Sequence, residues 1–513
     1  MKEKFYITTP IYYVNDKPHI GHSYTTILAD ILARYHRLLN IPTFFLTGTD
    51  EHGLKVQQAA VRNGMEPQQY VDTMAVRFVE LWKKIGISND DFIRTTEIRH
   101  KRVVQEALQY LYDKGEIYKA DYDGWYCVAC ERFYVEKDIV NHRCPEPACN
   151  RELEQIREPN YFFKMSKYRN WLVRYIEEHP DFIRPAFRRN ETLGFLQKEL
   201  NDLCISRPKT RLAWGIELPF DTSYVTYVWF DALMNYVTAV GYRSDPQKFR
   251  MWWPASCHLI GKDILTTHTV YWPIMLYALE LPMPECIFAH GWWLSGTEKM
   301  SKSKGNVVDP MKFIDDYGVD AFRYFLAAEM VMGQDASFTE ELFIRRYNSD
   351  LANDLGNLVQ RVTRLIHTEF SGQIPTYAIA SVEEDNLRTK VLGVVNECKE
   401  LIRQLRVDFI VDRLREVIRE TNRYVDKRQP WILAKNRNHS ELATVLYTSA
   451  EAVRIICGML HPIMPMKMEE ALTILGYKSE KLTIDQLQNW GGLKPGTHIG
   501  ELKGLFPRIK QQK

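Results

Sequence analysis

A chain of 513 residues with a net charge of +2 has room for about three domains, and any RNA-binding surface on it must be a local patch. Hydrophobic residues at 45% and charged residues at 26% are those of an ordinary globular protein, and no apolar run approaches the ~20 residues of a membrane span. Nine cysteines, four of them clustered, suggest a reducing compartment and a metal site, so the expected location is the cytoplasm. The N-terminus enters the first strand at once, leaving no room for a signal or transit segment.

Phe5-Tyr6-Ile7-Thr8-Thr9, bounded by Pro10, reads as a buried strand. A loop with Asn15, Asp16 and Pro18 leads to His19-Ile20-Gly21-His22, after which Ile27, Leu28, Ile31, Leu32, Tyr35, Leu38 and Leu39 recur at helical spacing. Asn40 and Pro42 stop that helix. A helix start offers unpaired N–H groups and a positive dipole end to phosphate. Gly21 allows close approach, and two imidazoles can donate to phosphate oxygens. Two histidines at a helix start also describe a plain cap.

Thr43-Phe44-Phe45-Leu46-Thr47 is a second strand, and Gly48-Thr49-Asp50-Glu51-His52-Gly53 turns out of it into a helix that ends near Asn63-Gly64. Alternating strand and helix imply a parallel, doubly wound sheet with ligands beyond the carboxyl ends of its strands. Asp50 lies at such an end, where a carboxylate can pair with a substrate ammonium or simply cap the helix. Residues 65–117 read as helices with a break at Gly86-Ile87-Ser88-Asn89-Asp90.

From 118 to 160 the chain turns rich in Tyr, Cys, Pro and charge, with Cys127-x2-Cys130 and Cys144-x4-Cys149. Four thiolates in two pairs suit a tetrahedral zinc, which supplies roughly 10–16 kcal/mol of folding energy to a segment with few core residues. The wider second gap leaves His142 open as a substitute for one cysteine. Residues 184–220 read as the return from an insertion, and Thr226-Tyr227-Val228-Trp229-Phe230-Asp231-Ala232-Leu233 as a strand, then a helix, opening the second half of the nucleotide fold. Trp229, Ala232, Leu233 and Tyr236 share one helical face, ordinarily a sign of core packing.

His258-Leu259-Ile260-Gly261-Lys262-Asp263 is another strand and tight turn, and a helix follows with Ile264 and His268 four apart. Cys286-Ile287-Phe288-Ala289-His290-Gly291 is the last strand; it delivers the chain to the lysine-rich loop Lys299-Met300-Ser301-Lys302-Ser303-Lys304-Gly305-Asn306. Beyond Asp309 the chain is helical, with a bundle over 346–505. Arg403, Arg406, Arg413, Arg415, Arg419, Arg423, Lys427 and Arg428 are interleaved with acids and make a weak patch. Asn357 and Arg361, four apart, and Trp431 after Gln429-Pro430 have the chemistry to read and stack splayed RNA bases.

His19-Ile20-Gly21-His22 and Lys299-Met300-Ser301-Lys302-Ser303, in this order, resemble the two signatures of the class I aminoacyl-tRNA synthetases, and the likeness to their methionine-specific family covers almost the whole chain. The resemblance implies an α/β fold: a doubly wound parallel nucleotide-binding sheet with a zinc-knuckle insertion, followed by an all-α helix-bundle domain. The expected division is 1–117 and 221–295 for the two catalytic halves, 118–220 for the insertion, 296–345 for the lysine loop and stem-contact connector, and 346–513 for the anticodon domain. The implied reaction joins L-methionine to ATP as methionyl-adenylate and then charges tRNA(Met). His19, His22, Lys299 and Lys302 would be catalytic, and Gly21, His22, Gly261, Asp263, His290, Gly291 and Lys302 would bind ATP. Ile11, Tyr13, Asp50, Trp229, Ala232, Leu233, Tyr236, Ile264 and His268 would bind methionine. Asn357, Arg361 and Trp431 would contact the anticodon.

Zn²⁺ held by Cys127, Cys130, Cys144 and Cys149, and Mg²⁺ with ATP, are the implied metals. The chain stops at Lys513 without the C-terminal barrel that makes many relatives dimers, so a monomer is expected. Leucine-, valine-, isoleucine- and cysteine-specific enzymes share both signatures, and nucleotidyltransferases unrelated to tRNA also place a histidine pair at a helix start.

Overall fold

The computed structural model describes residues 3–127, 132–134, 139, 141–145, 149–296, 298–299, 308–378, 381–478, 481–501 and 504–510, with the backbone alone at 132, 133, 228, 298 and 299. Cys130 and the signature residues 300–303 lie outside the described residues.

The chain opens with β1 (Phe5–Tyr13), buried through its first five residues, and α1 (Ile20–Leu38), which packs Ile27, Ile31, Leu32 and Tyr35 inward. Then come β2 (Thr43–Asp50), α2 (Leu54–Arg62), α3 (Pro67–Lys84), β3 (Asp91–Arg94) and α4 (Ile98–Asp113). The residues just past the expected break at 86–90, read as helix, form instead an edge strand, parallel to β2 with Leu46 opposite Asp91. Four residues with two charges carry too little alternation to show as a strand in sequence.

The insertion is built on an antiparallel hairpin of β4 (Ile117–Cys127) and β6 (Glu154–Phe163), with β5 (Arg132–Tyr134) along one side of β4. There follow α5 (Arg169–Glu178), β7 (Ile183–Arg184), α6 (Ala186–Leu196), β8 (Leu203–Cys204), β9 (Ser206–Pro208), β10 (Glu217–Leu218) and β11 (Asp221–Thr226). β11 corrects one expectation. It pairs antiparallel with β9 and β10 in a small separate sheet, so it does not open the second half of the nucleotide fold. Its outer residues Thr222 and Ser223 are exposed, as suits a half-buried antiparallel strand and not a central parallel one.

After α7 (Val228–Leu233), α8 (Asn235–Thr238) and α9 (Pro246–Trp252), the second half begins at β12 (Cys257–Gly261). A 3₁₀ turn (Lys262–Ile264) and a π-helical turn (Thr267–Tyr271) lead into α10 (Trp272–Ala278), then β13 (Ile287–His290), β14 (Trp293–Ser295) and β15 (Glu298–Lys299). The six-stranded parallel sheet runs β3-β2-β1-β12-β13-β7. β1 leads outward to β2 on one side, and β12 leads outward to β13 on the other. The crevice between β1 and β12 is thus the switch point, where such sheets bind ligands.

The connector comprises α11 (Pro310–Tyr317), α12 (Val319–Glu329) and β16 (Ala336–Ser337), the last parallel to β14. The bundle holds α13 (Glu340–Arg346), a π-helical stretch (Tyr347–Gly356), α14 (Asn357–Phe370), α15 (Val382–Arg403), α16 (Val407–Arg428), α17 (Pro430–Lys435), α18 (His439–Leu460), α19 (Pro465–Ile474) and α20 (Ile484–Gln488). α18 is long and apolar enough by composition to cross a membrane, yet its candidate span is entirely enclosed by the rest of the protein. The buried Arg323 of α12 ties the two halves of the molecule: it donates to Asp30 Oδ2 of α1 at 2.7 Å and to the carbonyls of Ile85, Pro462 and Ile463. Removing either partner of such a buried pair costs about 3–5 kcal/mol, because a desolvated charge is left behind.

Candidate active site

α1 begins on a reciprocal cap made of two imidazoles. Gly21 N–H donates to His19 Nδ1 at 3.1 Å, and His19 N–H donates to His22 Nδ1 at 3.3 Å. The rings stack with centroids 3.7 Å apart. An imidazole that accepts at Nδ1 carries its proton at Nε2, so the helix cap itself sets both rings as Nε2–H donors. A Cβ on Gly21 would stand 3.0 Å from His19 Cε1, so glycine is what lets the ring fold over the backbone. The capping reading is thus borne out, and the same arrangement leaves both Nε2–H groups as donors.

The ends of β12 and β13 meet this helix. His290 pairs in register with Gly261, and its Nε2 lies 2.7 Å from Thr25 Oγ1 on α1. His290 Nδ1–H donates to the Gly291 carbonyl at 2.7 Å, and burial lowers the ring's pKa, so it is neutral and Thr25 donates to it. A Cβ on Gly291 would stand 2.0 Å from the Gln334 carbonyl oxygen; only glycine admits that close pass. Asp263 sits on the exposed turn after β12, its Oδ1 accepting from the Trp292 indole at 3.2 Å.

Asp50 is buried at the end of β2, opposite Tyr13, with the Lys55 ammonium 5.6 Å from the Tyr13 ring centre. The turn behind Asp50 is pinned from three directions. Arg94 makes a two-pronged contact with buried Glu51 at 2.7 and 3.0 Å. Trp214 donates its indole N–H to the Glu51 carbonyl at 2.6 Å. His52 Nδ1 and His100 Nε2 both reach the carboxylate of Asp231, at 2.6 and 2.7 Å. All three side chains of that last network are buried. Burial raises the Asp231 pKa, but the two imidazoles outweigh it and hold the carboxyl at about 2. His52, His100 and Asp231 come from distant segments and went unmarked in sequence; the two neighbours that flank Asp50 and Trp229 were the available hint.

Asp231 lies on α7 between Trp229, which is half-buried, and Ala232 and Leu233, which are buried. The helix is interrupted at Met234, and buried Tyr236 follows on α8. The Tyr236 hydroxyl lies 2.7 Å from His268 Nε2, and His268 Nδ1–H donates to the Ile264 carbonyl at 3.0 Å. Burial lowers His268 to about 4, so it is neutral and accepts from Tyr236. Tyr236 also packs on His258 and Trp272, at centroid distances of 4.2 and 5.7 Å, while Trp272 donates to His258 Nε2 at 3.2 Å. Ile11 and Ile264 border the same apolar cluster. An aromatic lining with neutral imidazoles suits a polarizable thioether. Trp272 was missed in sequence, although it stands four residues beyond His268.

The β14–β15 hairpin places the Lys299 backbone opposite Leu294. Lys302 lies outside the described residues.

In the insertion the sulfurs of Cys127, Cys144 and Cys149 all lie within 4.8 Å of one another, with Cys127 and Cys149 at 3.6 Å. A zinc–sulfur tetrahedron with ~2.3 Å bonds has edges of about 3.8 Å. The three thiols therefore fit a metal, and Cys130, the fourth candidate, lies outside the described residues. His142 is exposed and lies on the Trp125 ring with centroids 4.5 Å apart, and it is no part of the sulfur cluster.

In the bundle, Asn357 and Arg361 rise from one face of α14, and the Arg361 guanidinium lies 5.3 Å from the Trp431 ring centre at the start of α17. Arg361 also pairs with Asp426 at 2.6 Å. Trp431 is 42% exposed, well above what a core indole shows. Like Arg361, the patch residues Arg403, Arg406, Arg413, Arg415, Arg419, Arg423, Lys427 and Arg428 each pair with a carboxylate.

A parallel sheet with a histidine-capped helix at its switch point, a zinc-type insertion and a helical bundle presenting an exposed indole define a class I aminoacyl-tRNA synthetase. The family model described as class I tRNA synthetases (M) matches residues 5–155 and 146–363, and that of the anticodon binding domain of methionyl tRNA ligase matches 374–513. The chain belongs to this methionyl-type family of class I tRNA synthetases.

Among its relatives, the methionine–tRNA ligase of Caldanaerobacter subterraneus is 45% identical over 100% of this chain and 80% of its own length. That of Thermotoga maritima is 45% identical over 99% of this chain and 80% of its own length. The Mycobacterium tuberculosis methionyl-tRNA synthetase in complex with methionyl-adenylate superposes with a TM-score of 0.94 at 37% identity, covering 99% of this chain and 100% of that one.

Proposed function

We propose that this protein is an aminoacyl-tRNA ligase that activates L-methionine with ATP and transfers the methionyl group to the 3′-terminal adenosine of tRNA(Met). One observation carries the reading: the stacked His19–His22 pair, with its Nε2–H groups set by the cap, stands at the switch-point crevice beside the ends of β12 and β13.

In the first step a methionine carboxylate oxygen attacks the α-phosphorus of ATP, and the bond from that phosphorus to the bridging oxygen breaks. Pyrophosphate leaves with the electron pair. No protein nucleophile is needed, so positioning and charge stabilisation carry the step. His19 and His22 donate to the α-phosphate as it becomes five-coordinate; Lys299 and Lys302 hold the departing β- and γ-phosphates. Mg²⁺ bound with ATP neutralises part of the triphosphate charge. Asp50 receives the methionine ammonium beside Ile11 and Tyr13, and its pinned turn keeps that carboxylate from drifting. Trp229, Ala232, Leu233, Tyr236, Ile264 and His268 enclose the side chain. Gly21, Gly261, Asp263, His290 and Gly291 receive the nucleoside, with Asp263 accepting from the ribose. In the second step a ribose hydroxyl of the tRNA end attacks the methionyl carbonyl, and AMP leaves.

Asn357, Arg361 and Trp431 meet the anticodon, a reading supported by the contact of Arg361 with the exposed Trp431 ring and by Asn357 standing one turn before Arg361 on α14. Cys127, Cys130, Cys144 and Cys149 hold one structural Zn²⁺. The same proposal makes it a monomeric enzyme working where tRNA is charged, in the cytoplasm. Amino-acid-dependent exchange of pyrophosphate into ATP, run with each of the twenty amino acids, tests the reading. Methionine alone should drive rapid exchange; a leucine, valine, isoleucine or cysteine optimum would replace the proposal with that specificity.

A further inference from the structure

Asp263 stands on a short exposed turn, and among the described residues the Trp292 indole is the group that hydrogen-bonds its carboxylate, at Oδ1 and 3.2 Å. The indole is itself held on several sides. Its ring centre lies 4.1 Å from the Lys262 ammonium. Its backbone N–H donates to Asp335 Oδ1 at 2.8 Å, while Lys262 binds Asp335 Oδ2 at 2.7 Å. Burial raises the Asp335 pKa, but Lys262 and the Trp292 N–H outweigh it and keep the carboxyl ionised. The Trp292 carbonyl accepts from Ala336 N–H at 3.0 Å, and the preceding Gly291 is wedged against Gln334. An indole stacked on one face and anchored through its backbone on both edges is built to stay in place.

We infer that Trp292 is a positioning residue for the nucleotide: its indole N–H fixes one oxygen of the Asp263 carboxylate so that the other meets the ribose hydroxyls of ATP. The inference rests on the proposed role of Asp263. A carboxylate on an exposed turn otherwise samples several rotamers, and holding it in the binding geometry removes that loss from nucleotide binding. Trp292 also leads straight into β14, the strand paired with the Lys299 backbone, so one residue anchors the ribose side of the site and the base of the lysine hairpin.

Trp292→Phe keeps the ring against Lys262 and removes the N–H. In methionine-dependent pyrophosphate exchange, KM for ATP should rise about three- to tenfold, the worth of one hydrogen bond to a charged acceptor with partial exposure. KM for methionine should stay at the wild-type value. With 2′,3′-dideoxy-ATP the variant and wild type should give equal KM. Trp292→His, which restores an N–H donor, should recover part of the loss and guards against a folding defect. An unchanged KM for ATP in Trp292→Phe, or an equal penalty with the dideoxy nucleotide, overturns the role of Trp292. If Asp263→Asn leaves KM for ATP unchanged, the ribose reading itself fails; if that variant is impaired while Trp292→Phe is not, only the positioning role is lost.

Discussion

The imidazoles of His19 and His22 stack 3.7 Å apart at the start of one helix, where Gly21 N–H donates to His19 Nδ1 and His19 N–H donates to His22 Nδ1, so each ring carries its proton at Nε2. Asparagine at 19 preserves a capping side chain and loses the imidazole. His19→Asn should therefore melt within a few degrees of wild type, since capping is worth about 1 kcal/mol. Methionine-dependent exchange should fall about 10²–10³-fold, the scale of one lost charge-stabilising donor. Exchange at the wild-type rate would remove His19 from the chemistry.

Lys302→Ala should lower kcat for activation by a similar 10²–10³-fold while leaving KM for methionine near wild type, because the ammonium acts on departing phosphates and not on the amino acid. Single-turnover formation of methionyl-adenylate separates this from slow product release.

The His52–Asp231–His100 network links pH to stability. The Asp231 carboxyl is held at about 2, below its ordinary 3.8, so its stabilisation is complete above pH 4 and is lost as the pH falls toward 2. That contribution is about 2 kcal/mol. Denaturant titrations between pH 7 and 2 should show the slope in wild type and a flatter profile, with lower stability at neutral pH, in Asp231→Asn. Because His52 adjoins the Asp50 turn, the same variant should raise KM for methionine.

Metal analysis of the purified chain should find one zinc per molecule. Cys149→Ser should lose it and destabilise the insertion, whereas His142→Ala should retain it, since Cys149 joins the sulfur cluster and His142 stands outside. Retained zinc in Cys149→Ser would reverse that assignment.

Trp431→Ala should reduce kcat/KM for tRNA charging by roughly 5–150-fold, matching the ~1–3 kcal/mol of one base stacked on an aromatic ring. Pyrophosphate exchange should be unaffected. Equal loss of both activities would make Trp431 structural.

Sequence by itself revealed what local chemistry can show: a helix opening on His19-Ile20-Gly21-His22, strands running toward Asp50, Gly261 and His290, and thiols spaced for a metal. Each of these is written within a few neighbouring residues, where periodicity and turn chemistry act. Tertiary structure decided which strand opens the second half of the sheet, because β11 pairs with β9 and β10 and β12 with β1 and β13, and a strand's partners lie outside its own residues. It also decided that His52, His100 and Asp231 form one buried cluster, that Cys149 and not His142 faces the other sulfurs, and that Trp292 meets Asp263. Those contacts join residues that are not sequence neighbours, and burial strengthens the histidine–aspartate cluster among them; neither distance in space nor loss of solvent is readable from a line of residues.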